Sequence, residues 1–334
     1  MYRVGVIGCG AIFKRHLESI NNNDNFILSA VCDVDQEKLN NLSGLCQVPG
    51  YKNYKTMIQE QHLDFVTIAT PNSLHYEQAL YCLKNKCDVL LEKPAVLDPK
   101  QIEKLKAVAL ANNVRIYAVL QVRLNPAIQK IKQLLDKGVF GEVRGVALVQ
   151  RWQRPMEYFN SWRGEKFVGG GTLHECGVHY VDIMCYLFGI PQVIAAKSYN
   201  TKHKNVDIED TIYSLLDFGQ FGATVEVTIA SEPKNIECSM SIMTDKGYVK
   251  LGGKALDKIT EAKFLNHNIE KVYQEVVSDL QPSRQPNSYE KYEGSCPNHP
   301  ELYSRLQEFD LQETAGVIQL IDEIYQACGL EYYK

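Results

Sequence analysis

The chain begins Met1-Tyr2-Arg3-Val4-Gly5-Val6-Ile7-Gly8-Cys9-Gly10, an apolar run that enters a glycine turn at once. A helical segment follows, then a second apolar run, Ala30-Val31-Cys32, which closes on Asp33. In a parallel sheet this order places Gly8 and Gly10 where a dinucleotide pyrophosphate meets backbone N–H groups and a helix dipole. Asp33 then stands where a carboxylate can bond the adenosine ribose hydroxyls. A 2′-phosphate there meets a like charge, and neither Val34 nor Asp35 supplies a cation, so NAD is expected over NADP. Phe13 occupies the place of the fingerprint's usual third small residue, and a bare G-x-G also fits an ordinary tight turn.

Further apolar runs at Phe65–Ala69, Val89–Leu91 and Ile116–Leu120 alternate with helical patterns at Ser73–Lys86 and Asp98–Asn113. The second helix has Asp98 as N-cap and Pro99 at its first position. Uniformly apolar strands joined by helices predict a doubly wound parallel sheet covered on both faces, a Rossmann domain over residues 1–122. The period then changes. Val225, Val227 and Ile229 alternate with polar neighbours, as do Ile236, Cys238, Met240 and Ile242. Period two predicts a large, open, mostly antiparallel sheet in an α+β domain over residues 123–334, with one helix-covered and one open face. Helices are expected from Asn125-Pro126 and over Leu311–Cys328.

Composition narrows the function. A net charge of -4 gives no reason to expect a nucleic-acid partner. No run of roughly 18 apolar residues suggests a membrane span. The strand at the N-terminus leaves no room for a signal peptide. The ten cysteines contain no C-x-x-C pair, and several sit in apolar segments, which fits a reducing cytoplasm and no metal site.

A second stretch carries chemistry: Gly169-Gly170-Gly171-Thr172-Leu173-His174-Glu175-Cys176-Gly177-Val178-His179-Tyr180-Val181-Asp182. On a helix Glu175 and His179 share a face, and Asp182 can turn to His179. An imidazole beside carboxylates at a glycine-lined cleft is suited to general acid–base work. A capped helix with a surface histidine is the plainer alternative. His174 and His179 are one residue too far apart for H-E-x-x-H zinc binding. The strand ends Thr70-Pro71-Asn72, with His75 beyond, and Glu92-Lys93-Pro94 converge on the same cleft, at the carboxyl ends of the strands.

These elements, in this order with His16, resemble the Gfo/Idh/MocA family, the glucose-fructose oxidoreductase and inositol dehydrogenase group, over nearly the whole chain. The resemblance implies Lys93 and His179 as the catalytic pair, with Glu175 where the family often has aspartate, and a cis peptide before Pro94. It implies NAD contacts from Gly8, Cys9, Gly10, Ala11, Ile12, Asp33, Thr70, Pro71, Asn72, His75, Glu92, Lys93, Gln121, Trp162 and Arg163.

The segments Arg151–Pro155, Ser161–Gly164 and Tyr292–Ser295, with Asn298-His299, look like the branch acting on UDP-sugars, the UDP-N-acetylglucosamine and UDP-N-acetylglucosaminuronate 3-dehydrogenases. Substrate contacts are then expected from Lys93, Arg151, Arg154, Arg163, Glu175, His179 and Tyr292. Arginines suit a diphosphate or carboxylate, and Trp152, Trp162 and Tyr292 suit a base or sugar ring. A packed arginine–aromatic edge is the plain alternative. The expected function is NAD-dependent oxidation of a sugar hydroxyl by a homodimer or homotetramer. The alternatives are a free-sugar or inositol dehydrogenase, and a non-catalytic NAD-binding sensor.

Overall fold

The computed structural model describes residues 1–280 and 298–333. The first sheet has six strands, all parallel, in the order β3-β2-β1-β4-β5-β6. They are β1 (Tyr2–Ile7), β2 (Phe26–Cys32), β3 (Gly50–Tyr51), β4 (Phe65–Ile68), β5 (Asp88–Leu91) and β6 (Ile116–Ala118). The crossovers are α1 (Phe13–Asn21), α2 (Gln36–Cys46), α3 (Tyr54–Gln61), α4 (His75–Lys84) and α5 (Lys100–Asn112). The order reverses at β1/β4, and such a switch point opens a crevice above the carboxyl ends of the strands. The start of α5 lies one residue later than expected: Pro99 is the N-cap, and Asp98, just before it, accepts the Lys100 N–H at 2.9 Å.

The second sheet has seven strands in the order β13-β12-β11-β7-β10-β9-β8. These are β7 (Val143–Arg151), β8 (Gln192–Tyr199), β9 (Thr211–Asp217), β10 (Gly222–Thr228), β11 (Glu237–Thr244), β12 (Gly247–Gly252) and β13 (Lys258–Phe264). Only β7 and β10 pair in parallel; the other neighbours are antiparallel. The period-two reading holds. Val225 and Val227 of β10 and Cys238, Met240 and Ile242 of β11 are buried. Ile236 is the exception: it precedes β11 and is exposed.

The accompanying helices are α6 (Pro126–Asp136), α7 (Lys166–Gly169), α8 (Val178–Phe188), α9 (His267–Val277), α10 (His299–Ser304) and α11 (Leu311–Ala327). The covered face of the sheet packs with Val178, Val181 and Ile183 of α8 and Ile321 and Ile324 of α11. Each such side chain contributes about 1.5–3 kcal/mol when fully buried.

The division we propose at 122/123 separates the two sheets, yet the chain later returns. Tyr303 of α10 is buried in the first core beside Phe13 and Phe65. Its hydroxyl meets Thr67 Oγ1 at 2.8 Å and His16 Nδ1 at 3.0 Å. Leu311 and Ile318 of α11 join the core around β4 and β5. No helix among the described residues is long and apolar enough to cross a membrane.

Candidate active site

The glycine turn after β1 divides its labour. Gly8 has φ +94°, and a Cβ there would stand 2.4 Å from the Ala69 carbonyl oxygen, so glycine is required for packing. A Cβ on Gly10 would meet no protein atom within 4 Å. That open space lies before α1, whose start has no side-chain cap and whose dipole favours an anion, while the Phe13 and Arg15 N–H groups donate to the Gly10 and Ile12 carbonyls at 3.1 and 2.9 Å. The turn therefore fits a dinucleotide phosphate, flanked by Ala11 and Ile12. Phe13 points away, into the core.

Asp33 closes this end of the cleft. Its Oδ2 accepts the Cys9 N–H at 2.8 Å and lies 3.3 Å from Lys38 Nζ, while Oδ1 accepts the Asp35 N–H at 3.0 Å. Burial pushes the carboxyl up, but these two amides and Lys38 together hold it below its usual value. Val34 and Asp35 supply no cation, as expected, but Lys38, in the first turn of α2, reaches back to Asp33.

The cofactor residues expected at the strand ends divide. His75 is fully buried with Nδ1 2.9 Å from the Pro94 oxygen and Nε2 3.0 Å from the Thr70 oxygen. Both nitrogens face main-chain carbonyls, so His75 braces two strand ends and has no edge left for a cofactor. Thr70, beside Pro71, donates its hydroxyl to Gln78 Oε1 at 2.7 Å. Asn72 donates to the Gly169 carbonyl at 2.7 Å and lies 3.5 Å from Glu175 Oε2, tying the first sheet to the second domain. Gln121, buried, accepts on its carbonyl from Asn298 at 3.4 Å.

Lys93 follows β5 and is joined to Pro94 by the cis peptide that the resemblance implied. Its Nζ donates to the Glu175 carbonyl at 2.6 Å and lies 3.5 Å from Glu175 Oε2. Glu175 Oε1 accepts from Arg163 Nε at 2.8 Å and from the Tyr158 hydroxyl at 3.0 Å. Burial pushes the Glu175 carboxyl up, but Lys93 and Arg163 outweigh it and hold the group ionised. Tyr158 was not singled out in the sequence. It lies on a 3₁₀ turn after Pro155, and only its place just before the Ser161–Gly164 segment could have pointed to it.

Glu92, expected beside the cofactor, is engaged by protein: its Oε2 accepts the Lys93 N–H at 3.1 Å. Its Oε1 accepts from His16 Nε2 at 3.0 Å and lies 3.5 Å from His299 Nε2. These three residues are the one group among the described residues that could hold a metal. Hydrogen bonds hold His16 between Glu92 and the Tyr303 hydroxyl, while both ring nitrogens of His299 are enclosed without a hydrogen-bond partner among the described residues.

The helical run is not a uniform helix. Leu173–Gly177 forms a π-turn that feeds α8. Such turns recur at functional sites, and here it carries Glu175. His179 lies in α8, half-buried, with its Nδ1 enclosed and without a hydrogen-bond partner. Burial pushes its pKa down to about 3, and the nearby Lys93 cation adds to this. Asp182 does not turn to His179. It is fully buried and forms a two-point pair with Arg123, whose Nε donates to Oδ2 at 2.8 Å. The glycines allow close approach: a Cβ at Gly169 would stand 2.9 Å from the Trp162 carbonyl oxygen. Cβ atoms at Gly170 and Gly171 would meet His174 Nδ1 at 2.8 Å and the Tyr325 hydroxyl at 2.5 Å, so they admit protein and leave no room for ligand.

The arginines part company. Arg163 stacks over Trp162 at 4.4 Å and over Tyr158 at 5.3 Å, within the cluster around Glu175. Arg154 is buried over Trp152 at 4.6 Å and Tyr158 at 5.5 Å, and donates to the Gln153 carbonyl at 2.8 Å. Arg151 is not at the cleft. It lies on the open sheet face, paired with Glu226 at 2.6 Å and Glu237 at 3.1 Å, because alternate residues of a strand face opposite ways. Tyr292 lies outside the described residues.

A Rossmann crevice that ends on a lysine, a carboxylate and an imidazole defines a nucleotide-dependent oxidoreductase. Residues 2–120 match the model of the oxidoreductase family with an NAD-binding Rossmann fold, and residues 128–250 match the GFO/IDH/MocA C-terminal domain. The chain belongs to the Gfo/Idh/MocA family, and its N-terminal domain is of the NAD-binding type.

The structure of the WlbA dehydrogenase from Bordetella pertussis, in complex with NADH and UDP-GlcNAcA, is similar, with TM-score 0.86 and 26% identity. The match covers 98% of this chain and 95% of that one. In sequence, oxidoreductase P35 of Formosa agariphila is 29% identical over 62% of this chain, and the match spans 66% of its own length. The scyllo-inositol 2-dehydrogenase (NADP(+)) IolW of Bacillus subtilis is 27% identical over 48% of this chain and 44% of its own.

Proposed function

We propose that this protein is an NAD-dependent dehydrogenase that oxidises a secondary hydroxyl, at C3, of a UDP-N-acetylhexosamine or its uronate, in the making of surface-polysaccharide sugars. The observation that carries the dehydrogenase reading is the Lys93 amine held 2.6 Å from the Glu175 carbonyl at the end of the Gly8–Gly10 crevice. The nucleotide-sugar reading is supported by the full-length likeness to the Bordetella WlbA structure and by the Trp162–Arg163 stack beside Glu175.

Bound NAD supplies the acceptor for the hydride that leaves the carbinol carbon. His179 takes the hydroxyl proton as the carbon becomes a ketone, against the burial and the Lys93 cation that disfavour its charged form. Lys93 moves a hydrogen bond from the Glu175 carbonyl to the substrate oxygen and steadies negative charge developing there. Glu175 holds Arg163 and Tyr158 as one wall of the site.

Oxidation of a free sugar or inositol is the second reading. It is favoured by the turn of Arg151 away from the cleft and by the inositol dehydrogenase among the relatives. A ligand that binds only the folded state raises its melting temperature. With NAD present, UDP-N-acetylglucosamine or its uronate is expected to give a larger rise than inositol or glucose. The opposite ranking overturns the nucleotide-sugar assignment and leaves the dehydrogenase standing.

A further inference from the structure

Glu209, just before β9, is buried among hydrogen-bond donors. Its Oε1 accepts the Thr172 N–H at 2.6 Å and the Tyr325 hydroxyl at 3.0 Å, and its Oε2 accepts the Tyr332 hydroxyl. Tyr325 in turn accepts the Leu173 N–H at 2.8 Å. Thr172 Oγ1 donates to the Glu209 carbonyl at 2.5 Å. The opening amides of the π-turn are thus held by one carboxylate and one phenol, where a helix start favours an anion. Gly171 admits the carboxylate, since a Cβ there would stand 2.6 Å from either oxygen. Tyr332, in the segment after α11, packs on Tyr325 at 4.4 Å and on His174 at 5.7 Å. Three residues beyond Thr172 comes Glu175, whose carbonyl receives the Lys93 amine.

We infer that Glu209, together with Tyr325 and Tyr332 of the C-terminal segment, is a positioning unit that fixes the start of the π-turn and so sets the meeting of the Glu175 carbonyl with Lys93. The inference rests on the reading that Lys93 serves the reaction. None of the three touches the crevice; they act through the turn.

The groups facing Glu209 are Asp210 beside it, Thr172 at the cap of the π-turn, Tyr325 and Cys328 from the α11 end, and Tyr332, whose ring meets His174 and, at 5.6 Å, the Lys166 amine. Burial pushes the Glu209 carboxyl up to about 7, against its donors and with Asp210 adding to the rise. Protonation turns one accepting oxygen into a donor, so the bond to the Tyr332 hydroxyl reverses. Burial pushes His174 and His179 down to about 3, so neither titrates in this range.

The test compares Glu209→Leu, Glu209→Gln and Tyr332→Phe with the wild type. Kinetics are read on whichever sugar or nucleotide-sugar alcohol the wild type oxidises, so the substrate assignment can fail without touching this test. Glu209→Leu is expected to lower kcat about ten-fold or more, as misplaced reacting groups do, with the calorimetric Kd for NAD within about two-fold. Glu209→Gln can still accept from Thr172 and Tyr325 while donating to Tyr332, and should restore most of kcat. Below about pH 7 the wild-type kcat should approach that of Glu209→Gln, the isostere of the protonated acid, and Glu209→Gln itself should show no limb there. Hydrogen exchange at residues 171–176 should quicken in Glu209→Leu with the glycine turn unchanged. Should Glu209→Leu not fold, Tyr332→Phe carries the same readings with smaller losses. Unchanged exchange at 171–176 in a folded variant overturns the anchoring whatever the turnover. Wild-type kcat in folded Glu209→Leu or Tyr332→Phe overturns the positioning role.

Discussion

The two faces of the seven-stranded sheet carry similar side chains to opposite ends. On the covered face, the run from Gly169 to Asp182 brings Glu175 and His179 to the end of the Rossmann crevice. On the open face, Arg151, Glu226, Glu237 and Lys250 pair with one another across β7, β10, β11 and β12. Ile194, Tyr199, Tyr213, Leu215 and Met243 are exposed there. Arg163 and Arg151 each adjoin a tryptophan and each pair with glutamate, yet only Arg163 joins the candidate site. Residue type alone does not assign a role. Position does: the alternation of β7 turns Arg151 to the open face, whereas Arg163 stands on the 3₁₀ turn Trp162–Gly164 beside Glu175.

The largest expected effect breaks the covered face. Lys93→Ala and His179→Ala should each lower kcat by roughly 10² or more, the usual loss for a positioned proton-transfer group. His179→Ala should leave NAD affinity nearly unchanged, because the glycine turn and Asp33 lie in the other domain. A near-normal rate in that variant removes His179 from the chemistry and reduces the difference between the two faces to one of packing.

The open face has its own test. Exposed aliphatic and aromatic groups on a sheet mark an association surface, and a second copy of this chain is the expected partner. Leu215→Glu with Ile194→Glu should convert a dimer or tetramer into monomer by light scattering at micromolar concentration. A monomeric wild type would end this reading of the face.

How far the sequence reached follows the same division. The parallel sheet was legible because β1, β2, β4, β5 and β6 are mostly apolar, with few polar breaks such as Arg3, Ser29 and Thr67, and the glycine turn has a local mechanism. Two-residue β3 is too short to announce itself, and α9 and α10 were not singled out. The π-turn has no signature in residue types that separates it from an α-turn. Asp182 was assigned to His179 from helix spacing alone, whereas its partner Arg123 comes from a distant turn. Glu209 went unnoticed for the same reason: its donors, Thr172, Tyr325 and Tyr332, are gathered from three separate parts of the chain. Arg151 is different. Its neighbour Gln150 is fully buried while Arg151 is not, and the period-two rule already applied to β10 and β11 would have placed it correctly.

The smallest expected effect sharpens the comparison most. Arg163 stacks on Trp162 and holds Glu175 with its side chain part exposed, at 32%. Its guanidinium can give up part of that pairing to an anionic ligand, and the planar fork suits phosphate or carboxylate oxygens. Arg151 is committed to two carboxylates on the far face. With NAD and a UDP-N-acetylhexosamine uronate present, Arg163→Ala should therefore shrink the ligand-induced rise in melting temperature, and Arg151→Ala should leave it intact. A ten-fold loss of affinity at saturating ligand removes about 1.4 kcal/mol of ligand stabilisation, a few degrees for a chain of this size. Each variant is compared with its own ligand-free melting point, so any loss of the Glu175 or Glu226 pair is subtracted. Equal shrinkage in both variants would mean that the two faces communicate, and a loss confined to Arg151→Ala would reverse the assignment of the faces.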